Sequence, residues 1–208
     1  MGCAQSSPSD SSVVVSTSDV KVQQHAVPTI ECAVLFFPDK ALPCRNFMRA
    51  GALCRRPNCT YAHERTSLMR LLEVIDGAKK SLEVCVFTIT CNEIADAIES
   101  AAKRGVMVRI ITDDEQAKSQ GSDVARLSKV ANVSVRHDGD SKSHMHHKFA
   151  VVDAEVLING SFNWTRAAVI TNRENVVITR NAPVLVQSFR EEFNSMWTQY
   201  QANTRIPA

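Results

Sequence analysis

The stretch His144–Trp164, HMHHKFAVVDAEVLINGSFNW, decides the reading of this chain. Side chains alternate along a strand, so His146 and Lys148 share one face while His147, Phe149 and Val151 take the other. One face offers an imidazole beside an ammonium, and the other is half apolar. That pairing suits attack on a phosphodiester, because a ring nitrogen can serve as nucleophile while the lysine neutralises charge on the non-bridging oxygens. Gly160, Ser161 and Asn163 follow at what reads as a strand-to-helix junction, where a phosphate is well held. A lone His-x-Lys pair is commonplace, and its plain reading is a strand with surface histidines ahead of a Gly-Ser turn. The larger pattern decides between the two.

Outward from this stretch, strands and helices take turns. Thr29–Pro38 reads as a strand and residues 66–80 as an amphipathic helix, with Leu68, Leu71, Leu72, Ile75 and Ala78 at helical spacing. Leu82–Thr90 is a buried strand, Asn92–Arg104 a helix with Gly105 at its C′ position, and Val106–Thr112 a strand. Asp123–Val130 is expected as a helix, and Val133–His137, Lys148–Val152, Val156–Ile158 and Glu174–Thr179 as strands. The helix Ala182–Tyr200 closes the series, with Leu185, Phe189, Phe193, Met196 and Trp197 on one face. This order predicts an α/β layered sandwich, a largely parallel or mixed sheet flanked by helices.

Composition agrees with one folded domain. The 208 residues are 44% hydrophobic with 7 Gly and 7 Pro, which excludes collagenous and wholly disordered chains. No apolar run approaches the roughly 20 residues of a spanning helix, which excludes a multi-span membrane protein. Seven cysteines are enough for a secreted disulfide framework, but the chain is too large to need one and opens with no apolar signal segment, so a reducing compartment is expected. The net charge of +2 is unevenly spread: residues 40–80 hold nine Lys and Arg against three Asp and Glu.

The basic segment coincides with Cys44-x9-Cys54-x4-Cys59-x3-His63, three thiols and an imidazole at spacings that suit tetrahedral zinc. It resembles a CCCH zinc finger, and a closed site of this kind implies structural zinc. Cys32, Cys85 and Cys91 sit in apolar runs and are expected to act as small hydrophobes. Arg45, Arg49, Arg55, Arg56 and Arg65, interleaved with Phe47 and Tyr61, suit either a nucleic-acid strand or anionic lipid headgroups.

The full string His146-x-Lys148-x4-Asp153-x6-Gly160-Ser161-x-Asn163 resembles the HKD signature of the phospholipase D superfamily. Glu174, in NRENVVI, stands where that superfamily places the carboxylate that orients the catalytic imidazole. A single HKD copy, an AVLFFP strand ahead of it and the finger-like insertion make residues 30 to 200 similar to the mitochondrial cardiolipin hydrolase, or Zucchini-like, family. The resemblance implies a phospholipase D-like domain over 29–200, with the insertion at 44–63 and a tail at 201–208. It also implies His146 as the nucleophile that forms a phosphohistidine, Lys148, Ser161 and Asn163 on the phosphate, Asp153 organising the site, and no catalytic metal.

The implied mechanism needs a second histidine as general acid. One HKD copy per chain therefore points to a homodimer in which His146 of each subunit flanks one phosphate. His144 and His147 are poorer candidates, since His147 faces away and His144 lacks a partner lysine; a metal held by His144 and His146 lacks a supporting ligand. The implied substrates are a phospholipid such as cardiolipin, cleaved to phosphatidate, or single-stranded RNA, cleaved endonucleolytically. A non-catalytic RNA- or lipid-binding adaptor is disfavoured by the intact His146, Lys148, Asp153, Ser161, Asn163 and Glu174.

Residues 1–28 are Ser-rich without sustained period and read as a disordered leader. The family's usual N-terminal transmembrane helix has no counterpart in them. The leader opens Met1-Gly2-Cys3-Ala4-Gln5-Ser6, which fits a myristoylation pattern with a neighbouring palmitoylation site, so Gly2 and Cys3 are candidate lipid attachment points. Two acyl chains suffice for stable anchoring. The expected location is a membrane surface facing the cytosol, the mitochondrial outer membrane by family resemblance.

Overall fold

Val84, Cys85 and Val86 lie in a strand whose side chains are buried on both faces, the mark of a sheet covered by helices on each side. The computed structural model describes residues 29–50, 54–139 and 142–204. The leader with Gly2 and Cys3, and the tail from 205, lie outside the described residues.

The strands are β1 (Glu31–Phe37), β2 (Ser81–Val86), β3 (Met107–Thr112), β4 (Val133–His137), β5 (Lys148–Val152), β6 (Val156–Gly160) and β7 (Glu174–Arg180). They form one mixed sheet in the order β1-β7-β6-β5-β2-β3-β4. β2, β3 and β4 run parallel, and every other neighbouring pair is antiparallel. The helices are α1 (Arg45–Ala50), α2 (Ser67–Asp76), α3 (Asn92–Lys103), α4 (Asp114–Lys118), α5 (Val124–Leu127), α6 (Arg166–Ile170) and α7 (Pro183–Gln199).

Two apolar cores separate the layers. Leu82, Val84, Ala150, Val152 and Ile158 point to the face that holds α2 and α3, where Leu68, Leu71, Ile75, Ile94 and Ile98 are fully buried. Cys85, Phe149, Val151 and Leu157 point to the other face and pack under Val186, Phe193 and Met196 of α7. The alternation expected across β5 therefore holds, but both faces are covered.

Local signals set the helix ends. Thr66 caps α2 by accepting from the Met69 amide at 3.2 Å, while the Asp39 carboxylate takes the amides of Ser67 and Leu68. α3 ends at Arg104, and Gly105 follows at φ +95°, a left-handed position that favours glycine. α2 is shorter than the expected 66–80. α1, α4 and α6, of five or six residues each, were not anticipated. Near the start of α7 Val186 is buried, and Leu185 is exposed. Cys85 and Cys91 are buried as expected, whereas Cys32 lies exposed on the outward face of β1.

Within the segment expected as a tail, Asn203 donates its side-chain amide to the Asp138 carbonyl and accepts from the His137 amide through its own carbonyl, which ties this residue to the end of β4.

Candidate active site

The mixed topology brings opposite strand ends to one rim. β2, β3 and β4 end there, β5 and β7 begin there, and β6 ends there. His146 and Lys148 sit at the entry to β5, and Ser161 and Asn163 just beyond β6. The register pairs Phe149 with Asn159, so one step further places Lys148 beside Gly160. A Cβ on Gly160 would lie 2.1 Å from the Asn175 carbonyl oxygen of β7, so this close strand approach admits only glycine.

Lys148 Nζ lies 2.9 Å from His146 Nδ1 and donates to the His146 carbonyl at 2.7 Å. The Phe87 ring, just past β2, packs 4.7 Å from the His146 ring, with Lys148 Nζ 5.3 Å from its centroid. Burial, helped by the Lys148 and His144 charges, holds the His146 pKa below the ordinary histidine value. Burial also lowers the Lys148 pKa, against the opposing pull of Glu174. A neutral imidazole next to an ammonium is the pair an in-line attack on phosphorus requires.

Across the rim, Ser161 Oγ donates to Glu174 Oε2 at 2.5 Å and accepts from the Asn175 amide. Glu174 also accepts from Asn172, and it does not bond His146 as expected. The reason is strand order: β7 neighbours β6, which carries Ser161, while His146 precedes β5, one strand further away. Asn163 Oδ1 is buried without a hydrogen-bond partner among the described residues, a polar atom left available at the site. The loop holding it is stitched to the β2 exit, since Thr90 and Cys91 donate to the Trp164 carbonyl and Trp164 donates to that of Thr88.

Asp153 does not join these residues. It sits at the opposite end of β5, about 17 Å along the strand from Lys148 at ~3.3 Å per residue. Its carboxylate accepts from the amides of Lys79, Lys80 and Ser81 at 2.7 to 3.2 Å, bracing the entry to β2. Burial pushes its pKa up, but those amides outweigh it and hold the carboxyl below its usual value.

Cys44, Cys54, Cys59 and His63 converge, with their ligand atoms all within 4.8 Å of one another. The Cys44 and Cys59 sulfurs are 3.9 Å apart, close to the edge of a tetrahedron with Zn–S bonds of about 2.3 Å. The Phe47 backbone amide leads the influences that lower the Cys44 thiol to about 6, which favours the thiolate a metal needs. The four donors fit structural zinc. Of the surrounding arginines, Arg45 pairs with Asp96 and Arg65 with Glu73, while Arg55 is exposed. Arg45 and Arg56 meet Arg166 and Tyr61 around a cavity of about 370 Å³ between the insertion and the body.

Phe87 and Asp113 were not anticipated at the rim. Asp113 follows β3 and caps α4 by accepting from Glu115 and Gln116, and the capping aspartate at the head of Asp-Asp-Glu-Gln is the signal that could have found it. Nothing in the sequence announced that its other oxygen would meet His144.

This rim and sheet define a phosphodiesterase of the phospholipase D class. Residues 71–197 match the family model described as "Cardiolipin synthase, PLD-like domain", and residues 39–65 match the C-x8-C-x5-C-x3-H zinc finger model. Among solved structures, the phospholipase D family member Nuc from Salmonella typhimurium aligns at TM-score 0.64 and 28% identity, over 82% of this chain and 96% of that one. NucT from Helicobacter pylori, at TM-score 0.63 and 22% identity, covers 82% and 97% and shares the fold.

Curated relatives narrow the class. The mitochondrial cardiolipin hydrolase of Chlamydomonas reinhardtii is 41% identical over 97% of this chain and 100% of its own length. That of Homo sapiens is 41% identical over 80% and 67%. The chain belongs to the mitochondrial cardiolipin hydrolase family and is a hydrolase of phosphodiesters.

Proposed function

We propose that the protein hydrolyses cardiolipin to phosphatidate and phosphatidylglycerol in a homodimeric site. The observation that carries the reading is the His146–Lys148 pair at 2.9 Å, set on the rim that also holds Ser161 and Asn163. The names of the relatives supply the lipid. In the resting arrangement Lys148 occupies Nδ1 of His146. A bound phosphate draws the ammonium onto its non-bridging oxygens, with Asn163 and Ser161 beside it. His146 Nε2 then attacks phosphorus, and the P–O bond to the phosphatidylglycerol oxygen breaks.

His146 of the partner subunit gives that oxygen its proton, then takes one from water. The hydroxide attacks the phosphohistidine, releases phosphatidate and restores His146. Glu174 acts through Ser161, accepting its hydroxyl and so fixing Oγ at the rim, and Asp153 acts by bracing the sheet.

The setting we propose is a membrane surface facing the cytosol, the mitochondrial outer membrane by analogy with the relatives' names, with acyl chains on Gly2 and Cys3 as the attachment. Among the described residues no helix is long and apolar enough to cross a membrane.

A second reading is single-stranded RNA cleavage at the same site, favoured by Arg45, Arg56, Arg166 and Tyr61 around one cavity. Purified protein incubated in parallel with cardiolipin liposomes and a labelled single-stranded RNA separates the two, with His146→Asn as the blank. Phosphatidate release that vanishes in His146→Asn is the expected result. Cleavage of RNA alone overturns the lipid reading.

A further inference from the structure

Beside the nucleophile stands a second imidazole that the proposed reaction leaves unused. His144 Nδ1 lies 2.9 Å from Asp113 Oδ2, and the Asp113 side chain is 0% exposed whereas that of His144 is 53% exposed. The other Asp113 oxygen accepts the Glu115 and Gln116 amides, so the carboxylate is fixed and it aims the imidazole. With Nδ1 engaged, Nε2 is left as the outward nitrogen. The bond to Asp113 raises the His144 pKa, which favours a protonated ring with a donor on that nitrogen.

His144 and His146 both pack on Phe87, with ring centroids 5.6 and 4.7 Å from its own, so their separation cannot exceed the sum of those distances. The shared platform makes the two imidazoles neighbours on one rim. The proposed reaction already takes its general acid from the partner's His146, which leaves His144 outside that role. It is well placed to hold a second anion next to the scissile one. The charge of Asp138, also near His144, is partly offset by backbone amides, since its carboxylate takes those of Asp114, Gly139 and Met145.

We propose that His144, aimed by Asp113, binds the second phosphate of a substrate carrying two phosphodiesters on one small headgroup, and so selects diphosphatidyl lipids over lipids with a single phosphodiester. The inference rests on the lipid reading above. Cardiolipin has the required pair of phosphates and phosphatidylglycerol has one.

The test measures kcat and KM of the full chain on cardiolipin and on phosphatidylglycerol in matched detergent micelles, for wild type, His144→Ala and Asp113→Asn. A lost charge-assisted hydrogen bond predicts that the cardiolipin-to-phosphatidylglycerol ratio of kcat/KM falls about tenfold in His144→Ala, chiefly through the cardiolipin KM. Asp113→Asn, which leaves the imidazole in place but weakens its aim, is expected to show a smaller fall. An unchanged ratio overturns the inference, as does an equal loss of kcat on both lipids, which would make His144 a support of the loop. Wild-type protein inert on both lipids overturns the lipid reading and this inference with it.

Discussion

A histidine attacks phosphorus only as the neutral ring, and burial, Lys148 and His144 together favour that form of His146. Because its pKa lies below the ordinary value, the acid limb of kcat/KM, where the nucleophile protonates, falls below pH 6.5, while the basic limb reports loss of the proton from the partner's His146, the general acid. A kcat/KM profile whose acid limb lies above 6.5 contradicts this. Asp153 makes a different prediction. Its folded pKa is depressed, so its contribution to stability is present above the unfolded carboxyl value and is lost as pH falls through the folded one. Asp153→Ala is expected to cost about 1–3 kcal/mol near neutral pH in denaturant unfolding, with the deficit shrinking in acid. At this scale the nearness of His146 to Lys148 was legible from their i, i+2 spacing, while the grouping of Gly160, Ser161 and Asn163 with them came from the whole motif and not from any period. The partner of Glu174 and the pairing of His144 with Asp113 were not legible, because each joins residues brought together by strand order. Asp153 was legible as part of a pattern, but the pattern does not say which end of the strand performs chemistry.

Elements are where spacing either reveals structure or fails to. α2 and α3 were readable because Leu68, Leu71, Leu72 and Ile75, and then Ile94, Ala95 and Ile98, repeat at helical spacing. α1, α4 and α6 complete barely one turn, too short for a period to emerge. The face of α7 was misjudged at Leu185 because Val184 and Leu185 stand before its first buried residue, Val186, near the helix start. The β6–β7 approach predicts that Gly160→Ala costs about 1–3 kcal/mol by overpacking and lowers the thermal midpoint. An unaltered midpoint would show that the strands part freely. For the insertion, elemental analysis is expected to find one zinc per chain, lost on Cys54→Ser with Cys59→Ser. The far-UV dichroism of the α/β body is expected to persist, since none of the described residues of the insertion joins either apolar core. Zinc retained by the double variant would remove the site.

The whole molecule joins two habits of sheet building. The α/β class was legible from alternating strands and helices, but the antiparallel seam between β2 and β5 was not, because no local residue dictates which strand lies beside which. That seam is what places strand beginnings and endings on one rim. If each catalytic centre uses His146 from two chains, random mixing of wild type with an equal amount of His146→Asn leaves about a quarter of dimers with both histidines. Activity per unit of total protein near a quarter of that of wild type is therefore expected after subunit exchange, and a value near a half would show that each chain works alone. The outermost strand carries one more consequence. Among the described residues β1 pairs with β7 alone, Glu31 with Arg180 through Phe37 with Glu174. On the ribosome β1 emerges roughly 140 residues before its mate, a wait on the order of ten seconds at ordinary synthesis rates. Through that interval Val34, Leu35, Phe36 and Phe37 lack their native strand partner, an apolar edge open to pairing with other chains until β7 arrives.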